Sequence, residues 1–135
     1  MHKLKSVLIT GCSSGIGLCV AQGLQAKGYQ VFASARKKAD VERLKGMGLD
    51  SLLLDLNYSD SIHSAMHQVL KHTDNKLYAL FNNGAFGQPG AIEDLSRDAI
   101  RQQFETNVFG TMELTNLAIP VMRQQGYGRI IQNSS

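Results

Sequence analysis

The chain has 135 residues, 43% of them hydrophobic, and a net charge of +3 from fourteen Lys and Arg against eleven Asp and Glu. This length fits one globular domain that buries roughly two-thirds of its unfolded surface, and the scattered basic residues favour a small anionic ligand over nucleic acid. No apolar run approaches the length of a signal or membrane-spanning segment, and Cys12 and Cys19 suit neither a disulfide framework nor a zinc site, so we expect a cytoplasmic protein with reduced thiols.

Apolar runs of strand length alternate with longer segments of helical period, which is the pattern of βα units around a parallel sheet. In chain order, the predicted elements are a strand at 6–10, a helix at 15–27, a strand at 29–33, a helix at 39–45, a strand at 51–54, a helix at 59–71 opened by a Ser/Asp cap, a strand at 77–81, helices at 97–105 and 107–124, and a strand at 129–133. Ile16, Val20 and Leu24 share one face of the first helix, and Pro120 should kink the last helix locally.

A glycine-rich segment joins the first strand to the first helix. Gly11 permits a tight turn, Gly15 lets the backbone come close to a pyrophosphate, and Gly17 permits close helix packing. Because the N–H groups and the positive end of the helix attract an anion, a dinucleotide is the natural ligand, and an ordinary glycine-rich turn is the alternative. The predicted cofactor-binding residues of this segment are Gly11, Cys12, Ser13, Ser14, Gly15, Ile16 and Gly17.

This segment, Thr10-Gly11-Cys12-Ser13-Ser14-Gly15-Ile16-Gly17, resembles the Thr-Gly-x-x-x-Gly-Ile-Gly motif of the short-chain dehydrogenases/reductases. Further strings follow in family order along essentially the whole chain: Asp55-Leu56, Asn82-Asn83-Gly84-Ala85, Asn107-Val108-Phe109-Gly110 and Gly128-Arg129-Ile130-Ile131-Gln132-Asn133-Ser134-Ser135. Within the family, the strings are most similar to the steroid- and retinol-dehydrogenase-like branch. The resemblance implies an α/β fold, a Rossmann-like doubly wound parallel sheet of strand order 3-2-1-4-5, with the cofactor across the carboxyl ends of the strands.

The end of the second strand bears on the choice of cofactor. An NAD enzyme places Asp or Glu there to hold the ribose 2′-hydroxyl, and that carboxylate would repel a 2′-phosphate. Here the position is Ala35, and Arg36 and Lys37 follow. Because a guanidinium can bind a phosphate bidentately, with Ser14 as a hydroxyl donor by resemblance, NADP(H) is favoured over NAD(H). The alternative is that Arg36, Lys37 and Lys38 only solvate a loop.

Further cofactor contacts follow from the resemblance alone. Asp55 would bond the adenine amino group, while Asn82 and Asn83 would brace the central strand and touch the ribose on the nicotinamide side; the alternative role of Asp55 is to cap the next helix. The family writes Asn-Asn-Ala-Gly where this chain has Asn-Asn-Gly-Ala, so a position that needs a positive φ has either moved to Gly84 or is strained at Ala85. The residues assigned to the cofactor in these strings are Asp55, Leu56, Asn83, Gly84 and Ala85.

The family's chemistry is hydride transfer between a nicotinamide and an alcohol or carbonyl carbon, with a tyrosine as general acid/base activated by a lysine. The catalytic serine would fall on Ser135, and the asparagine that holds a water in a proton relay would fall on Asn107. No tyrosine here has a lysine four residues later. We therefore expect residues 1–135 to be the incomplete, truncated NAD(P)-binding domain of an oxidoreductase that acts on a small molecule, inactive by itself; the alternative is a non-catalytic NADP(H)-binding module or a vestigial fragment.

Truncation after the fifth strand would leave an unpaired sheet edge. The helix from Asn107 commonly builds a dimer interface in intact relatives, so we expect a homo-oligomer. No metal site is predicted, because no carboxylate or cysteine completes the zinc-like spacing of His63, His67 and His72. Cys12, close to a helix N-terminus, is either a packed or a somewhat reactive thiol.

Overall fold

The structure, a computed structural model, describes residues 4–134. The strands are β1 (Ser6–Ile9), β2 (Gln30–Ala35), β3 (Asp50–Leu53), β4 (Ala79–Asn82) and β5 (Arg129–Gln132). The helices are α1 (Gly15–Ala26), α2 (Lys38–Gly46), α3 (Ser59–His72), α4 (Arg97–Phe104) and α5 (Thr111–Gln125). A turn of 3-10 helix, Ile92–Asp94, precedes α4, and a turn of π-helix, Glu105–Gly110, joins α4 to α5. No helix among residues 4–134 has the length and apolarity to cross a membrane.

The five strands form one parallel sheet in the order β3-β2-β1-β4-β5, which confirms the predicted fold class. The chain runs outward from β1 to β3 on one side and then returns to β4 on the other. Leu8 of β1 pairs with Leu80 of β4, and Leu80 pairs with Ile130 of β5. Because the loops after β1 and β4 leave the sheet in opposite directions, a crevice opens between them at the carboxyl ends of the strands.

Helices cover β1 on both faces of the sheet, because successive side chains of a strand point to opposite faces. Leu8 packs in one layer with Ile62 of α3 and Leu114 of α5. Ile9 packs in the other layer with Leu44 of α2. All four residues of β1 are buried. The loop that follows β1 therefore starts from a strand fixed on both sides.

The packed face of α1 differs from the predicted one at Ile16. The buried residues of this helix are Gly17 and Ala21, while Ile16 is 59% exposed. Val20 and Leu24 are partly buried and pack against the core, as predicted. Two small residues let the helix axis approach the sheet, so the face centred on Gly17 and Ala21 becomes the packed one and Ile16 falls at its margin.

Two helix starts also depart from expectation. The predicted Ser/Asp cap of α3 is wrong: the residue before the helix is Tyr58, no side chain caps it, and the Ser59 hydroxyl donates instead to Glu113 of α5 at 2.5 Å. The last long helix begins at Thr111 rather than at 107, because the segment before it forms the π-turn. Gly110 ends that turn against the carbonyl of Leu56, where a Cβ would collide with the backbone.

Candidate functional site

A cleft lies at the carboxyl ends of β1 to β4, in the crevice where the strand order reverses. It brings together nine of the fourteen residues assigned to the cofactor from the sequence, in addition to other lining residues. Those nine are Gly11, Ser13, Ser14, Arg36, Asp55, Leu56, Asn83, Gly84 and Ala85. The assigned residues that do not line this cleft are Cys12, Gly15, Ile16, Gly17 and Lys37. Thr10, Asn57, Phe86 and Thr106 also line it, although sequence reasoning gave them no such role.

The N-terminus of α1 opens beside this cleft without a cap. Ser14 precedes the helix with an extended backbone (φ −164°, ψ 180°), and its side chain makes no capping hydrogen bond. Because the first N–H groups of a helix have no partner within it, they are available to an anion. Gly15 has φ +61°, and a Cβ added there would meet no atom within 4 Å. The backbone thus borders open space, and this arrangement fits the diphosphate of a dinucleotide.

The loop from Gly11 to Gly17 folds tightly against its neighbours. A Cβ on Gly17 would collide with the carbonyl oxygen of Gly11 and with the side-chain amide of Asn83. Gly11 itself has φ +68°, and its Cβ would lie 2.9 Å from the Cα of Gly84. Gly17 therefore lies beneath the loop and sets its shape, whereas Gly15 borders the solvent.

Thr10 joins the loops that follow β1 and β4. Its buried hydroxyl oxygen accepts hydrogen bonds from the N–H of Asn83 at 3.0 Å and of Gly84 at 2.7 Å, and it lies 3.4 Å from the carbonyl oxygen of Phe81. The Asn83 side-chain amide donates to the carbonyl oxygens of Thr10 and Gly11 at 3.2 and 3.1 Å. These hydrogen bonds fix the loops after β1 and β4, which are the two banks of the crevice, to each other. A threonine at the end of a buried strand was the available sequence signal for this role.

The Asn-Asn-Gly-Ala string resolves differently from both sequence-based alternatives. Neither Gly84 nor Ala85 has a positive φ. Gly84 is therefore not needed for a positive φ, and Ala85 is not strained by one. Gly84 instead satisfies a requirement for space, because a Cβ there would lie 3.1 Å from Cβ and Oγ1 of Thr10. The glycine lets the loop after β4 approach Thr10 closely enough for the 2.7 Å hydrogen bond.

Cys12 packs under the loop. Its side chain is fully buried, its N–H donates to the Ser34 carbonyl oxygen at 2.8 Å, and its Sγ donates to the Ile9 carbonyl oxygen at 3.3 Å. Burial raises the pKa of the Cys12 thiol to about 12, against a smaller lowering effect of the hydrogen bond with the Ser34 backbone. The thiol therefore stays protonated at neutral pH, and of the two interpretations from the sequence the structure favours packing.

Basic side chains gather at the end of β2. This strand extends to Ala35, beyond the predicted end at 33, because its last residues pair with β3. Arg36 therefore follows the strand directly, is exposed and lines the cleft, whereas Lys37 immediately precedes α2. Sequence reasoning missed Arg43, whose Nη2 donates to the Ser13 carbonyl oxygen at 2.6 Å and to Oδ1 of Asp40 at 3.2 Å.

Asp55 follows β3 and also lines the cleft. Its Oδ1 accepts a hydrogen bond from the N–H of Asn57 at 3.0 Å, and its own N–H donates to the Ser61 hydroxyl at 2.9 Å. The alternative role as a helix cap does not hold, because the residue before α3 is Tyr58. The Asn57 amide oxygen in turn accepts from the hydroxyl of Thr106 at 2.5 Å, which ties the loop after β3 to the π-turn.

The two residues assigned to catalysis differ in what the structure describes. Asn107 lies in the π-turn, where its side chain accepts from the N–H of Phe86 at 3.0 Å and donates to the carbonyl oxygen of the same residue at 2.8 Å. It holds the loop after β4 in place. Ser135 lies outside the described residues.

The remaining polar groups of interest are structural contacts. The side chain of Asn82, 7% exposed, donates to Thr115 of α5 at 3.0 Å, and Asn133 after β5 donates to Oδ1 of Asn83 at 2.8 Å. His63 lies 3.5 Å from a carboxylate oxygen of Glu113. Within residues 4–134, no three His, Cys, Asp or Glu side chains are grouped so that they could hold a metal ion.

Comparison with known proteins gives consistent matches. The family model described as short chain dehydrogenase matches residues 5–135. YbbO of Escherichia coli strain K12, named an uncharacterized oxidoreductase, is 47% identical over 131 residues, which are 97% of this chain and 49% of that protein. A short-chain dehydrogenase from Streptomyces avermitilis has a TM-score of 0.90 at 31% identity, over 98% of this chain and 49% of that one. Actinorhodin polyketide ketoreductase with NADPH has a TM-score of 0.88 at 26% identity, over 98% and 53%. The chain spans about half the length of the proteins it matches.

Proposed function

Because the chain belongs to the short-chain dehydrogenase family, we propose that it forms the NADP(H)-binding part of an oxidoreductase that transfers a hydride between the nicotinamide and an alcohol or carbonyl carbon. The observation that carries the proposal is the uncapped N-terminus of α1 beside the open backbone of Gly15, at the point where the strand order reverses. Helix N–H groups at this place bind a diphosphate without any charged side chain. The bound cofactor would supply the hydride, and the residues of this chain would position it.

The preference for NADP(H) rests on charge at the end of β2. Ala35 has no carboxylate to hold a ribose 2′-hydroxyl, and Arg36 follows it on the rim of the cleft. Ser14 lines the same cleft. A guanidinium and a hydroxyl together suit a 2′-phosphate, because the phosphate oxygens accept charge-assisted hydrogen bonds.

The other contacts carry over as proposals. Asp55, in the cleft, would bond the adenine amino group, and the loop of Asn83, Gly84 and Ala85 would face the ribose on the nicotinamide side. Asn107 would contribute to the proton relay and Ser135 would position the substrate oxygen. The 135 residues contain no Tyr-x-x-x-Lys pair, so we propose that by themselves they bind the cofactor without turnover.

Titration of NADPH and NADH by calorimetry tests the proposal. Arg36→Asp should raise the Kd for NADPH by at least about tenfold, since a charge-assisted hydrogen bond becomes a repulsion, and should change the Kd for NADH by less than about twofold. Lys45→Asp is the matched control, because Lys45 is exposed in the last turn of α2, pairs with Glu42 and lies outside the cleft lining. Equal affinity of the unchanged protein for the two cofactors would contradict the NADP(H) preference.

Self-association is part of the same proposal. Phe104, Phe109 and Met112 are 48%, 54% and 57% exposed at the junction of α4, the π-turn and α5, and the two phenylalanine rings lie 6.4 Å apart. Exposed apolar side chains grouped in this way favour burial against another molecule. We propose a homo-oligomer through this face. Phe109→Asp should shift the protein to monomer in sedimentation equilibrium, and an unchanged molar mass would contradict the interface.

A further inference from the structure

Arg43 reaches from α2 to the loop that follows β1. Its Nη2 donates to the carbonyl oxygen of Ser13 at 2.6 Å and to Oδ1 of Asp40, one turn earlier on the helix, at 3.2 Å. Side chains on a helix lean toward its N-terminus, which explains how a residue in the second turn of α2 extends to the loop. The contact brings a guanidinium to a backbone position next to Ser14.

The hydrogen bonds of this guanidinium leave donors for a ligand. Among the described residues, its hydrogen bonds to Ser13 and Asp40 both use Nη2. A guanidinium carries five N–H donors, so those on Nε and Nη1 remain for an additional acceptor. The Arg43 side chain is 43% exposed, and an anion from solvent can reach it.

The charges around this corner favour an added anion. Arg36 lies on the cleft rim after β2, and Lys38 begins α2, a helix whose N-terminus has no side-chain cap. Asp40 is the carboxylate in the first turn of α2 and would repel a phosphate there. The contact with Arg43 offsets that repulsion, because it pairs the carboxylate with a cation.

We propose that Arg43 is a specificity-determining residue, a second cation of the subsite that takes the 2′-phosphate of the cofactor, with Arg36 as the first. The inference rests on the proposed function, since it assumes that the adenosine ribose lies between Ser14 and Arg36. The Arg43 guanidinium donates to the carbonyl oxygen of Ser13, the residue before Ser14, so it is held next to one side of the place assumed for the ribose. Loss of Arg43 would remove a cation and also leave Asp40 unpaired near the phosphate. A 2′-hydroxyl, which carries no charge, would sense neither change.

Two nucleotides that differ only in this phosphate provide the test. Binding of adenosine 2′,5′-bisphosphate and of adenosine 5′-monophosphate is measured by calorimetry, without any dependence on turnover. Arg43→Gln should raise the Kd for the bisphosphate by about tenfold and that for the monophosphate by less than about twofold. Asp40→Asn should lower the Kd for the bisphosphate by about twofold to threefold and leave the monophosphate unchanged.

The control comes from the same helix. Lys45 is an exposed cation of α2 that pairs with Glu42 at 3.6 Å. Lys45→Gln removes the same charge at a residue that, within residues 4–134, has no hydrogen bond to the loop after β1 of the kind that Arg43 makes. Its two Kd values should match those of the unchanged protein. Thermal melting of each variant checks that α2 remains folded, and Arg43→Lys, which keeps the charge, should retain part of the preference for the bisphosphate.

The outcomes separate this inference from the proposed function. An equal loss of affinity for both nucleotides in Arg43→Gln would mean that Arg43 only holds the shape of the loop. Unchanged affinity for both would mean that Arg43 neither binds the phosphate nor shapes the loop. Each result overturns the inference. If Arg36→Gln weakens the bisphosphate selectively while Arg43→Gln does not, the NADP(H) preference stands and the role of Arg43 falls. If the unchanged protein binds neither nucleotide, both proposals fall.

Discussion

Strands β1 and β5 lie in the same parallel sheet and have similar apolar centres, yet their surroundings differ. All four residues of β1 are buried, whereas all four residues of β5 are exposed. The difference is clear along one row of paired residues: Leu8 and Leu80 are 0% exposed, and Ile130 in the same row is 38% exposed. An apolar sequence therefore specifies a strand without specifying how far the strand is buried, because burial also needs helices on both faces.

This contrast extends to the loops at the carboxyl ends of the strands. The loop after β1 is fixed by the buried Thr10 and by Gly17 packed beneath it. The segment after β5 is tied to the cleft through the exposed contact between Asn133 and Asn83. The loop after β1 is therefore held by buried groups, whereas the segment after β5 is held to the cleft by hydrogen bonds of Asn133.

The largest expected difference lies in the sheet itself. Leu80→Ala should lower the free energy of unfolding by about 2–5 kcal/mol, because it leaves a cavity in the core. Ile130→Ala, in the same row, should cost about 1 kcal/mol or less, because the side chain it shortens is partly in solvent. Urea denaturation of both variants gives the two values. Similar losses of unfolding free energy in the two variants would show that the difference in burial between the strands does not affect stability.

The next prediction addresses the anchored loop. Gly17→Ala should cost about 1–3 kcal/mol and weaken NADPH binding, because the new Cβ collides with the Gly11 carbonyl, which is backbone and cannot turn aside. Gly23→Ala is the matched control in the same helix, since a Cβ there meets no atom within 4 Å. It should stabilise the protein by about 0.5–1 kcal/mol. A Gly17→Ala variant as stable as the control would mean that the loop adapts and is not anchored.

The smallest effect concerns the two cysteines on this side of the sheet. Cys19 is exposed and Cys12 is buried, so iodoacetamide at pH 8 should modify Cys19 and spare Cys12 in the folded protein. Rapid labelling of both, followed by mass spectrometry, would show that the loop opens readily.

The raised pKa of Cys12 also gives this prediction a pH dependence. The pKa of Cys12 is about 12 in the folded protein, and its ordinary value is 9.0. The folding stability linked to this protonated thiol is therefore fully present below pH 9. It is lost as the pH rises from 9 toward 12, because the thiol of the unfolded chain ionises first. The stability difference between the unchanged protein and Cys12→Ala should therefore fall by roughly 1 kcal/mol between pH 8 and pH 10. A difference that stays constant would contradict a buried, protonated thiol.

The sequence predicted much of this architecture for physical reasons that act locally. Apolar runs bounded by turns marked the strands, and the three glycines after the first strand marked the loop with its positive φ at Gly11 and Gly15. The strand order came from the resemblance, and the structure confirmed it. Local pattern failed at Ile16, because the small residues Gly17 and Ala21 decide which face of α1 approaches the sheet.

Contacts between distant segments were beyond such reasoning. The roles of Thr10 and Arg43 depend on residues far away in the chain, since Thr10 binds the backbone of Gly84 and Arg43 binds that of Ser13. The packing of Cys12 and the need for space at Gly84 likewise arise only when the loops meet.

By itself, the amino-acid sequence determined the alternation of strands and helices, the glycines of the loop after the first strand and the absence of an acidic residue at Ala35 and Arg36, because hydrophobic period, backbone freedom and charge are properties of neighbouring residues. The tertiary structure alone decided how deeply each strand is buried, which side chains join the two banks of the cleft and which cation reaches the loop from α2. Those properties depend on distances between segments that are remote along the chain, and only the packing of helices on both faces of the sheet sets them.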